Sequence, residues 1–127
     1  MKEVSEFSIQ SVKFFITRIG IVDIPEGTFK AVLVTTGRKT GKEHAVEIRA
    51  VLYQGKFYFS RRNPDSDWLK NALKNPSVKV QYQGETISGI ASLVEDQELC
   101  KKISQMKYSD KRSEEARIVL QVTPCGL

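Results

Sequence analysis

The chain has 127 residues, 40% of them apolar and 28% charged, with a formal net charge of +5. That length and apolar share fit a single domain, residues 1–127, with a core of its own, and exclude a disordered chain. The positive balance suits an anionic small molecule, a nucleic acid or an acidic surface, without choosing among them. No apolar run is long enough to cross a bilayer and no leader pattern opens the chain, so the expected compartment is the cytoplasm. Cys100 and Cys125 have neither metal-ligand spacing nor a His/Cys cluster around them.

In chain order, Val12, Phe15, Ile16 and Ile19 recur at i, i+3, i+4 and i+7, which predicts an amphipathic helix ending near Gly20. Pro25-Glu26-Gly27 marks a turn. Two strand-like runs follow, Ala31 to Val34 and Ala45 to Tyr53. Gln54-Gly55 turns into the aromatic run Lys56 to Arg62, which puts Phe57 and Phe59 on one face and Tyr58 on the other. Asp65 and Ser66 are candidate caps for a short helix, Trp68 to Lys74, stopped by Asn75-Pro76. Val78, Val80 and Tyr82 alternate with polar residues, and Gln83-Gly84 turns into a further strand, Thr86 to Val94. Leu99, Ile103 and Met106 predict a helix over Glu95–Met106 with Asp96 as its cap, and Arg117 to Thr123 reads as a last strand. Serial hairpins argue for a mainly β, α+β fold: a small antiparallel barrel of about six strands with flanking helices.

The chemistry-bearing stretch lies between the first two of those strands: Thr35-Thr36-Gly37-Arg38-Lys39-Thr40-Gly41-Lys42. It combines hydroxyls, two glycines and three cations, the groups that hold an oxyanion. A P-loop is excluded: only three residues separate the glycines, Lys42 is followed by Glu43, and a strand pattern follows instead of a helix. On the loop alone, the reading as a basic turn kept soluble by its charges takes precedence over the phosphate-holding one. Aromatic residues on Lys56 to Arg62, with the positive charge, leave a base-stacking nucleic-acid barrel as an alternative, although the run lacks the RNA-recognition spacing. No Ser/His/Asp set, Cys/His pair or metal site is present in the pattern; His44, the single histidine, has no visible partner.

The motif order from Ala31 to Val80 resembles the deazaflavin-dependent nitroreductase family of split β-barrels. It comprises the Thr-Thr-Gly-Arg-Lys-Thr-Gly loop, a long strand, an aromatic strand, and a Trp-bearing helix closed by Asn75-Pro76-Ser77-Val78. Those proteins bind coenzyme F420 and are related to pyridoxamine-5'-phosphate-oxidase-like FMN proteins. The resemblance implies a six-stranded split barrel, F420 or alternatively FMN as cofactor, a small electrophilic electron acceptor such as a quinone or nitro-compound, and a homodimer. It implies no nucleic-acid partner. By position it implies that Arg38, Lys39, Thr40 and His44 hold the phosphate and acidic tail, and that the strand through Arg49 lies under the cofactor. It further implies that Ser60, Arg61 and Arg62 line the ring and phosphate, and that Trp68, Leu69 and Asn71 cover the site. The chain departs from the family in having Glu47 where Pro is frequent and a shorter loop after the aromatic strand. Tyr108 is the one candidate for the family's substrate-side tyrosines.

Overall fold

The computed structural model describes the backbone of residues 12–17, 20–61, 65–108 and 117–125, with side chains described at Ile24 and from residue 26 onward. Its strands are β1 (Val12–Thr17), β2 (Gly20–Pro25), β3 (Gly27–Thr36), β4 (Glu43–Tyr53), β5 (Lys56–Arg61), β6 (Ser77–Tyr82), β7 (Glu85–Leu93) and β8 (Ile118–Pro124). Helix α1 (Asp67–Lys74) lies between β5 and β6, and α2 (Gln97–Lys107) between β7 and β8.

β3 to β8 form a closed six-stranded antiparallel barrel in the order β3-β4-β5-β8-β7-β6, the expected architecture. The hairpins at Gln54-Gly55 and Gln83-Gly84 have positive φ at both central residues (53° and 82°; 49° and 84°). That is the two-residue turn whose twist matches the strands it joins. Alternation then sorts the side chains. Ala31, Leu33, Ala50, Leu52, Phe57, Phe59, Val80, Leu120 and Val122 fill the barrel, joined by Trp68, Leu69 and Ala72 of α1. Val51, Tyr58 and Val119 point outward, where Cys100 and Ile103 of α2 cover them. Asp96 caps α2, its carboxylate accepting from the N–H groups of Glu98 (3.0 Å) and Leu99 (3.4 Å).

The N-terminal expectation is overturned. Val12–Thr17 is a strand, paired antiparallel with β2 from Val12–Pro25 to Thr17–Gly20; Ile19 lies outside the described residues. Val-Lys-Phe-Phe-Ile-Thr is rich in β-branched and aromatic residues, and in so short an apolar run helical spacing does not outweigh strand preference once a partner strand is at hand. The nucleic-acid alternative fares no better. Phe57, Tyr58 and Phe59 are 0%, 4% and 0% exposed, so the strand presents no aromatic platform on which bases could stack.

Two pairings are short, and they create the site. β4 meets β5 only over Val51–Tyr53, and β3 meets β6 only over Val32–Val34, whereas β3 and β4 pair along their whole length to Thr36–Glu43. The β3–β4 hairpin therefore runs on past the barrel, with the basic loop at its tip. α1 packs beside it, too short to be helical alone and held by the burial of Trp68, Leu69 and Ala72. Among the described residues no helix is long and apolar enough to cross a membrane.

Candidate functional site

Where β4 parts from β5, a cleft of about 500 Å³ opens between the hairpin tip, the end of β5 and the first turns of α1. That is within the range of about 300–1,000 Å³ usual for small-ligand sites. Its basic side is the loop. Gly37 N–H donates to Lys42 O (2.7 Å) and Gly41 N–H to Gly37 O (2.9 Å), closing the loop on itself. Thr40 Oγ1 accepts from Lys42 N–H at 3.2 Å. The main-chain N–H groups of Lys39 and Thr40 take part in none of these bonds and remain available to an anion. Lys39 and Thr40 are exposed.

Arg38 is fastened to the helix. Its main-chain N–H (3.1 Å) and its Nη1 (2.7 Å) both donate to Asn71 Oδ1, and Nη2 lies 3.3 Å from Asp67 Oδ1. Asn75 Nδ2 donates to Thr36 O at 3.2 Å, a second tie between the end of β3 and α1. The opposite wall is mostly apolar: Ala45, Val46 and Trp68, whose ring is edge-on to Phe59 at 6.4 Å. Arg61 closes the far side, its Nε donating to Ser66 Oγ at 3.0 Å, which leaves the N-terminus of α1 with no side-chain cap.

Thr35 and His44 are cross-strand partners and both line the cleft. Thr35 is 1% exposed, and its hydroxyl oxygen has no hydrogen-bond partner. Among the described residues no group of three His, Cys, Asp or Glu could hold a metal ion.

Of the residues singled out in the sequence, Arg38, Lys39, Thr40, His44, Arg61, Trp68 and Asn71 come together here. Strand parity keeps others away. Ser60 faces outward beside Tyr58 and accepts from Lys107 Nζ of α2 at 3.0 Å. Arg49 alternates with the inward Ile48 and Ala50 and is an exposed outer residue opposite Lys30. Leu69 is a core residue at 2% exposure. Arg62 lies outside the described residues. Tyr108 stands elsewhere, its ring under Lys107 Nζ (5.5 Å) and the Arg117 guanidinium (5.1 Å). Thr35, part of the hydroxyl-bearing stretch picked out in the sequence, lines the cleft as well; sequence reasoning missed Ala45, Val46, Ser66 and Asp67. Counting by twos from His44 would have found Val46, and the register of the hairpin would have paired Thr35 with His44.

Residues 16–118 match the family described as F420H(2)-dependent quinone reductase. The chain belongs to that family. Among solved structures, an F420-H2-dependent reductase is 24% identical, with 73% of this chain and 92% of that one covered and a TM-score of 0.59. A Listeria innocua protein assigned as a pyridoxamine 5'-phosphate oxidase is 19% identical (76% and 83% covered, TM-score 0.61). A domain-swapped dimer is 21% identical (95% and 94% covered, TM-score 0.55). These likenesses establish the split-barrel fold. Comparison with curated proteins finds no match. The resemblance read from the loop and the Trp-bearing helix thus leads to an F420-dependent reductase family related in fold to the pyridoxamine-phosphate-oxidase-like proteins.

Proposed function

We propose that this chain is an F420-dependent oxidoreductase that reduces a small electrophilic acceptor, a quinone or nitro-compound, in the cleft between the Gly37–Lys42 loop and α1. The observation that carries the reading is the convergence on one cleft of a phosphate-type loop, an apolar wall and an unpartnered buried hydroxyl, that of Thr35. The residues present fit the cofactor. Lys39 and the main-chain N–H groups of Lys39 and Thr40 would hold its phosphate, and Lys42 would add charge at the loop. Val46 and Trp68 would wall its ring, with Arg61 and His44 at the rim. When bound, the reduced deazaflavin supplies a hydride, the chemistry a cofactor brings so that the protein need only bind, orient and shield it. Membership of the quinone reductase family favours the quinone as acceptor.

FMN is a second reading with an observation of its own behind it. Arg38 is already engaged by Asn71 and Asp67, which leaves Lys39, Lys42 and Arg61 as the cations for a ligand, a set that one terminal phosphate also satisfies. A homodimer is part of the proposal, supported by the likeness to a domain-swapped dimer and testable by light scattering. The test of activity is anaerobic mixing of purified protein with reduced F420 and a soluble quinone, following return of the cofactor's visible absorbance. Catalysed oxidation supports the reading; no rate above the protein-free control refutes it.

A further inference from the structure

The cleft opens where β4 parts from β5, and the two edges of that split can be traced rung by rung. A two-residue hairpin closes on a hydrogen-bonded pair, here Tyr53–Lys56, and bonded pairs then alternate along an antiparallel ladder. The next bonded pair, Val51–Tyr58, is made. In the same register the one after it is Arg49–Ser60, and the strands have parted before reaching it. The main-chain N–H of Arg49 and the carbonyl of Ser60 therefore face the split from opposite sides. Arg49 is exposed, and water can serve its N–H. Ser60 is 2% exposed, and a buried carbonyl needs a partner. That partner comes from the outer helix. Lys107, in the last turn of α2, brings its ammonium to Ser60, with Nζ 3.0 Å from Oγ and 3.5 Å from the carbonyl oxygen.

We propose that Lys107 is a positioning residue for the cleft: by taking the oxygens of Ser60 it keeps the Arg49–Ser60 rung unmade and the split open to a ligand. Two arrangements compete for one carbonyl. With Lys107 in place the carbonyl has a charged donor, and β4 and β5 stay apart. Without it the donor at hand is the Arg49 N–H, and the ladder extends by one rung into the cleft. The inference rests on the cleft being the ligand site. It gives α2, none of whose residues lines the cleft, a part in binding.

Lys107→Met keeps the aliphatic stem and removes the ammonium. Its affinity for F420, read by fluorescence titration, should fall about fivefold, the loss expected when the open form drops to roughly a fifth of the population. Amide exchange at Arg49 proceeds from the open form. In ligand-free Lys107→Met it should therefore slow by the same factor, about fivefold. A residue that merely supports the fold has the opposite signature, because its loss loosens the strands and speeds exchange.

The wild-type protein offers a check that needs no variant. Its Arg49 amide should exchange faster than that of Ile48, whose N–H the alternation directs to Ala31 on β3. The proposal is overturned if Lys107→Met binds within about twofold of wild type, if its Arg49 amide exchanges no more slowly, or if Arg49 is as protected as Ile48 in the wild type. Wild-type protein that binds neither F420 nor FMN overturns the functional reading; the exchange measurements need no ligand and still decide whether Lys107 governs the split.

Discussion

The His44 imidazole lies over the backbone of Gly37 so closely that a Cβ on Gly37 would fall 2.8 Å from Nε2 and 2.8 Å from Thr40 Oγ1. The loop can approach β4 in this way only because residue 37 has no side chain. Gly37→Ala must displace the ring or the hydroxyl, both of which line the cleft. The barrel core is remote from the change. Cofactor binding should therefore weaken about tenfold or more, with a cost in stability of about 1–3 kcal/mol at most. Adding His44→Ala should restore part of that stability, a coupling expected of residues in contact. Denaturant titration of the single and double variants measures it, and strict additivity would contradict the contact.

Asp67 should oppose an anionic ligand. Its carboxylate is 86% exposed, lies 3.3 Å from Arg38 Nη2 and lines the same cleft as Lys39. Asp67→Asn removes one negative charge while leaving Arg38 its two bonds to Asn71. F420 affinity should rise about two- to fivefold at low salt, since charges within a Debye length of about 10 Å interact. The variant should lose a few tenths of a kcal/mol of stability from the first turn of α1. Affinity that is unchanged or lower at low salt would show that Asp67 does not face the ligand.

Alkaline pH should weaken the outer-face cluster before it affects the cleft. Burial pushes Tyr58 above its ordinary 10.0, with Tyr53 adding to the shift, and burial pushes the Cys100 thiol above 9.0, with Asp96 adding to it. Both groups bind their proton more tightly folded than unfolded. The stability they contribute is therefore whole below those ordinary values and is lost as pH rises past them toward the folded values. Tyr58 OH also donates to Gln121 Oε1 at 3.1 Å. Unfolding free energy should decline from about pH 9 upward, and Tyr58→Phe should flatten the part of the decline above pH 10. Identical pH slopes for wild type and Tyr58→Phe would contradict the assignment.

Closure of the barrel between β7 and β8 depends on Gly89. An added Cβ would fall 2.5 Å from Val122 Cγ1 and 3.0 Å from the main-chain oxygen of Thr123. The carbonyl belongs to the paired strand and cannot step aside cheaply. Gly89→Ala should destabilise by about 1–3 kcal/mol. F420 affinity of the fraction that remains folded should be unchanged, because the cleft is lined from other elements. Wild-type stability by denaturant titration would contradict the packing at this seam.

Much of this architecture is legible in the residues, and the reasons are local. Gln54-Gly55 and Gln83-Gly84 are two-residue turns whose neighbours alternate cleanly, so the strands flanking them follow. Asp96 announces α2 by capping it. β1 is not legible, because Val, Phe, Ile and Thr around a single Lys satisfy helical spacing and strand preference alike. Ser60 and Arg61 show a signal present but unused: if Phe57 and Phe59 face inward, so does Arg61, and Ser60 cannot. The Arg38–Asn71 latch joins residues 33 apart in sequence, and no local pattern announces such a contact.

The most direct test of the account is equilibrium titration of the purified protein with F420 and, separately, with FMN, for wild type and Lys39→Ala at low and high salt. Lys39 carries no structural bond in the loop, so its loss should leave folding unchanged and cost about 1.5–3 kcal/mol of F420 binding if the charged contact is made. F420 should bind more tightly than FMN at low salt, the gap should narrow as salt rises, and Lys39→Ala should weaken F420 the more. Tighter FMN binding at every salt concentration, or full indifference to Lys39→Ala, would contradict it.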